Sequence, residues 1–117
     1  MEFVILSLLF VKHFVCDFVI QAPYMIKEKG QYGSAGGIHH AVLHGLGTWA
    51  VLFAFVDTFS ATILALADTV IHYHIDWTKI KLSNQWQVQD WAYWVWFGLD
   101  QLAHALTYIA IVAIIVL

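Results

Sequence analysis

Eight side chains in this sequence have the types and spacing of metal ligands. They form four pairs, each four residues apart: His13 and Asp17, His40 and His44, His72 and Asp76, Asp100 and His104. On an α-helix, residues i and i+4 share one face, about 6 Å apart along the axis, so each pair can point inward as a unit. Five imidazoles and three carboxylates suffice for two divalent ions bridged by an aspartate, with open positions for water. They also suffice for one ion whose ligands are held by further hydrogen bonds. The ligand softness favours zinc, with iron, manganese or nickel as alternatives, over calcium or magnesium.

Other polar residues lie close to these pairs in sequence. Asp68 precedes His72 by one turn, Gln21 follows Asp17 by one turn, and Gln101 adjoins Asp100. These three are expected to orient the ligands by hydrogen bonding. Gln21 could also meet an anionic substrate. Lys79, three residues after Asp76, and Lys12, close to the middle of its hydrophobic run, are the expected substrate-binding cations. The competing role for Lys79 is snorkelling to lipid headgroups; for Lys12 it is snorkelling or pairing with a site carboxylate. His39 points about 100° away from His40, and His74 lies opposite His72 and Asp76, so both are expected off the site. Cys16 reads as a small apolar helix residue, and Gly45 and Gly47 as points of close helix approach.

The elements that must carry these residues are hydrophobic. Hydrophobic residues make up 62% of the 117 and charged residues 11%, against about 25% charged in soluble domains. That is too few charges to cover a water-facing surface, so the composition implies a membrane protein. The net charge of −3 and the absence of arginine exclude a nucleic-acid-binding surface. A single cysteine excludes an intrachain disulfide. The start Met1-Glu2 lacks a positive region, which reads as an uncleaved first span.

With about 20 apolar residues needed per crossing, the runs predict helices at about 3–22, 37–56, 61–81 and 93–117. Pro23 closes the first, and residues 24–36 read as a loop. Asp57 or Ser60 can cap the third helix. The aromatic stretch Trp86–Phe97 reads as an interfacial segment before the last helix. The expected fold is one all-α domain, an antiparallel bundle of four transmembrane helices. The bilayer is then its first partner, and a homo-oligomer is compatible with it.

In such a bundle the four ligand pairs fall at similar depth, on the side that carries Lys27, Lys29, Lys79 and Lys81. The positive-inside rule makes that side cytoplasmic and puts both termini outside. Three aspartates within spans cost roughly 2.5–3.5 kcal/mol each on insertion scales. Hydrogen bonds to histidine offset part of this, and a bound divalent ion offsets more.

The segments His13–Gln21, His40–His44, His72–Lys79 and Asp100–His104 occur in an order that resembles domain-of-unknown-function family 3307, small membrane proteins of bacteria and phages. The resemblance covers nearly the whole chain. It implies a compact helical membrane protein, of a bacterial inner membrane, with these polar positions in use, and it supplies no activity. A looser similarity runs to membrane-bound proteins described as metal-dependent hydrolases.

The leading expectation is an intramembrane metal-dependent hydrolase acting near the cytoplasmic face. The lysines favour a phosphate-bearing substrate: a phospholipid, a lipid-linked phosphate or a nucleotide. A metal transporter or channel is the first rival, although the ends Ala50–Val56 and Ile109–Leu117 carry no ionisable side chain. A metal-stapled scaffold or regulatory protein without catalysis is the second. A di-iron oxidase is disfavoured by the absence of glutamate among the ligands.

Overall fold

The computed structural model describes residues 1–117, which fold into helices and turns with no strand. Helix α1 (Glu2–Phe14) begins with an acidic residue and ends with Lys12 and His13, an arrangement that suits its dipole. It runs without a break into a π-helical turn, Val15–Val19, where the Ile20 N–H bonds to the Val15 carbonyl at 3.0 Å. The helix expected to reach residue 22 therefore changes pitch at Val15 and stops at Val19.

Part of the expected 24–36 loop is helical. α2 (Pro23–Glu28) starts on Pro23 at its first turn, where the missing N–H loses nothing. α3 spans Ala35–Leu52, and the chain leaves it through turn-type bonds at Ala54–Val56 rather than continuing to 56. α4 spans Thr58–Ser83, with Asp57 as its N-cap accepting from the Ser60 N–H at 3.0 Å and the Ser60 hydroxyl at 2.6 Å. These two bonds hold the exposed Asp57 carboxyl below the usual carboxylate range. α5 spans Trp91–Val116 and absorbs most of the aromatic stretch.

The four long helices form a closed ring in the order α1, α3, α4, α5. Each packs on its two neighbours, and the diagonal backbones stand apart. Only side chains meet along the axis. α2 folds back on α3. The α3–α4 contact is set by Gly45: a Cβ there would stand 1.8 Å from Thr69 Oγ1 and 3.2 Å from the Ala65 carbonyl oxygen.

The interior is divided by polarity along the axis. Near the termini and the Asp57 turn it is apolar, with Ile5, Leu9, Leu52, Ala61, Leu64 and Ile111 packed together. Toward the other end polar and charged side chains fill the axis, so that buried polar residues outnumber buried hydrophobic ones. Outward-facing positions are the reverse: Phe3, Val11, Phe18, Leu46, Leu66 and Leu106 are exposed.

One helix, α5, is long and apolar enough to cross a membrane by length and composition, where four crossings are expected from the hydrophobic runs. The difference has a physical cause. α1 has 13 α-helical residues, and α3 and α4 carry His40, His44, Asp68, His72 and Asp76 on their buried faces. Those side chains lower the mean hydropathy without touching the outer surface.

Candidate metal centre

Each long helix delivers its ligand pair to the axis. His40, His44 and His72 are fully buried, and His13, Asp17, Asp76, Asp100 and His104 are at most 8% exposed. The π turn places Asp17 between α1 and α3. Its Oδ1 lies 2.8 Å from His44 Nε2 and 3.0 Å from His40 Nε2, and its Oδ2 lies 3.1 Å from His13 Nε2. The π-helical turn that ends the first helix brings one carboxylate within reach of three imidazoles.

Asp76 is the centre of a second lobe. Its Oδ1 lies 3.2 Å from His104 Nε2, while Oδ2 lies 3.2 Å from His72 Nε2 and 3.3 Å from His40 Nε2. Asp100 Oδ1 stands 3.6 Å from His104 Nε2. The His72 ring joins the lobes, stacked on His44 at 3.6 Å and on His104 at 4.1 Å between centroids. All eight expected ligands thus fall into overlapping groups whose donor atoms lie within 4.8 Å of one another.

Two features of this cluster suit a cation. Asp76 Oδ2 and Asp100 Oδ1 are buried without a hydrogen-bond partner, although imidazole nitrogens crowd Asp76 Oδ2. Buried carboxylate oxygens rarely go unpaired, and a positive ion between the donors satisfies them. Charge adds to this. Asp17, Asp68, Asp76 and Asp100 bring four negative charges, and Lys12 and Lys29 two positive ones. With the imidazoles neutral, as ligation requires, two negative charges remain, the complement of one divalent ion.

The supporting residues depart from several expectations. Gln101 bridges the lobes: its Oε1 lies 3.1 Å from His13 Nε2 and its Nε2 donates to Asp100 at 3.0 Å. Gln21 instead donates to the backbone carbonyl of Asp17, because the pitch change turns it away from the carboxylate. Asp68 does not orient His72. It accepts from Thr48 Oγ1 and from Lys12 Nζ at 3.3 Å, and His72 Nδ1 has no partner. Lys12 is no substrate-facing cation. It lies behind the cluster, bonded also to Tyr108 Oη at 3.0 Å and to His44 Nδ1 at 3.4 Å, because it faces the bundle axis where Asp68 awaits it. Lys79 lies on the outer side of α4, with Nζ 5.7 Å from the Phe97 ring centre.

His39 and His74 lie outside the cluster, bonded to Tyr24 at 3.1 Å and Tyr32 at 3.0 Å. The Cys16 thiol contacts the Leu43 carbonyl.

Three contributors escape the sequence reading. Tyr108 places its hydroxyl 2.8 Å from His13 Nδ1. The hydroxyl lies between His13 Nδ1 and Lys12 Nζ, and so holds the ring by the nitrogen opposite the one that faces Asp17. Thr48 caps Asp68. Both extend the ligand stripes by one more turn, His40–His44–Thr48 and Asp100–His104–Tyr108, so the i+4 rule carried further would have found them. Lys29 reaches within 3.8 Å of Asp76 Oδ2. No local pattern announces it, because the fold-back after α2 brings it there.

No curated protein and no solved structure matches this chain. Residues 5–117 match the family described as "Protein of unknown function (DUF3307)". With nearly its whole length matched, the chain belongs to that family.

Proposed function

We propose that this chain is an integral membrane protein whose four long helices cross the bilayer, and that its His/Asp cluster is a metal-dependent hydrolytic site acting on a phosphate-bearing substrate at the cytoplasmic face. The observation that carries this reading is the pair of buried oxygens without a hydrogen bond, Asp76 Oδ2 and Asp100 Oδ1, beside imidazole nitrogens. The inside-out polarity supports the membrane setting: apolar side chains face outward while histidines and aspartates fill the axis. At about 1.5 Å per residue, α4 and α5, of 26 residues each, extend about 39 Å, more than the roughly 30 Å hydrocarbon core. Placing the lysine-bearing end in the cytoplasm follows the positive-inside rule and leaves both termini outside.

Asp17, Asp76, Asp100 and the five histidines would hold one or two divalent ions, with zinc first among candidates. A bound ion supplies Lewis acidity and lowers the pKa of water toward neutrality. The chain's own residues supply the rest. Gln101 and Tyr108 fix the His13 ring from opposite sides. Lys29 stands beside Asp76, positioned to balance an arriving anion. The apolar packing of Ile5, Leu9, Leu52 and Leu64 closes the far end, which weighs against the transporter or channel alternative.

A metal-stapled bundle without turnover is favoured by one observation, the complete burial of His40, His44 and His72, since structural sites are closed and catalytic ones keep an open position. Elemental analysis of detergent-purified protein tests the shared premise. Asp17→Ala, His44→Ala, Asp76→Ala and His104→Ala should each lower bound metal, and unchanged content in all four refutes the site. Phosphoester hydrolysis by loaded protein then separates enzyme from staple.

A further inference from the structure

A cavity of about 510 Å³ opens on the outer surface between α4 and α5. Its size falls in the range of small-molecule sites. Its lining is graded along the helix axes. Val70, Ile71, Ile75 and Leu99 give an apolar trough with His74 on its α4 wall, and Thr78, Lys79 and Trp96 stand at the end nearer the lysine-bearing face. Asp100 lines the same cavity and also belongs to the Asp76–Asp100–His104 group. The groove and the cluster therefore share Asp100 as a common wall.

Two observations point to a ligand here. Asp100 is 8% exposed, and its Oδ1 has no hydrogen-bond partner. It is thus a buried, unsatisfied group at the seam between groove and cluster. Lys79 forms no ion pair, whereas Lys12 and Lys29 both do. Its ammonium leans over the Phe97 ring at the groove mouth. Lysine and tryptophan at one end of an apolar trough reproduce the order of a lipid, with its charged headgroup at the interface and its chain below.

Resting on the metal-dependent reading above, we infer that the substrate is a phospholipid of the surrounding leaflet that enters sideways between α4 and α5. Its phosphate meets Lys79 and Thr78, and an acyl chain lies along Val70, Ile71, Ile75 and Leu99. This choice sets aside the nucleotide and any soluble phosphate, which have no chain to occupy the trough. A lateral entrance also leaves the axis sealed by protein, with Asp100 the one side chain between groove and cluster.

The test uses full-length protein in phosphatidylcholine nanodiscs and a phospholipid spin-labelled near the end of one acyl chain, with a phosphatidic acid or a phosphatidylcholine headgroup. Wild type should show an immobilised spectral component, with the phosphatidic acid probe preferred about fivefold, the effect of one lysine near the membrane surface. Leu99→Trp fills the trough and should lower that component by the share of one lipid, the remainder coming from the lipid shell around the other helix faces. Lys79→Gln, at a half-buried position on the outer side of α4, should keep the whole component and lose the headgroup preference. The inference fails if wild type shows no preference, or if Lys79→Gln keeps the full preference. It also fails if folded Leu99→Trp immobilises the probe like wild type, or if glycerol 3-phosphate displaces the probe as well as phosphatidic acid does. Metal content of the same samples decides the underlying reading separately. Metal-free wild type that still immobilises the lipid selectively would keep the groove and remove the hydrolase.

Discussion

The ion pair that crosses the bundle diagonal offers the sharpest stability test. Lys12 Nζ lies 3.3 Å from Asp68 Oδ2, with the side chains 6% and 1% exposed. At an effective dielectric constant of about 20, two unit charges at that distance attract by about 5 kcal/mol. Removing one partner leaves the other charged and buried, a change that costs about 3–5 kcal/mol in buried pairs. Lys12→Met should leave Asp68 with only the Thr48 hydroxyl, and Asp68→Asn should leave the ammonium with Tyr108 and His44. Each should lose about 3–5 kcal/mol, a large share of the roughly 5–15 kcal/mol total of a domain. Lys12→Met combined with Asp68→Asn removes both charges and should cost less than either single change. Equilibrium unfolding by sodium dodecyl sulfate in mixed micelles, followed by tryptophan fluorescence, measures all four proteins. If the double variant costs the sum of the two singles, the pair is not coupled and the diagonal bridge is wrong.

Three further outcomes follow from single contacts. Gly45→Ala drives a methyl group into Thr69 Oγ1 and should destabilise by about 1–3 kcal/mol; Thr69→Ala should restore only part of this in unfolding titrations, because the Ala65 carbonyl stays 3.2 Å away. Tyr108→Phe removes the hydroxyl that fixes His13 and should weaken zinc binding about 10–100-fold in a competition titration while leaving helicity unchanged in circular dichroism. The Asp57 carboxyl is held below its ordinary range by Ser60, so its contribution is present above about pH 4, the unfolded carboxylate range, and is lost as pH falls through the lower folded value. Asp57→Ala should therefore melt below wild type at pH 6, with the gap closing as the pH is lowered; a gap constant with pH contradicts the cap.

The parts of this protein legible in the sequence are those encoded by helical periodicity. Four hydrophobic runs announce the long helices because each must bury or present an apolar face over many turns. The i, i+4 recurrence of histidine and aspartate marks the inward stripe of each run, since 3.6 residues per turn leave little freedom about which side chains share a face. The cap at Asp57 is legible for the same reason, being a contact within three residues.

Tertiary structure decided what depends on neighbours distant in sequence. The π turn at Val15–Val19, which carries Asp17 to His40 and His44, has no periodic signature. Lys12 reads equally as a snorkelling residue or a site cation until Asp68, 56 residues away, is placed opposite it. Lys29 sits among loop residues and reaches Asp76 only through the fold-back after α2. Lys79 is three residues from Asp76 yet faces outward, where the groove against α5 gives it a different setting. Local sequence determines which face of a helix a residue occupies; which other helix that face meets, and at what height, is set by packing across the whole bundle.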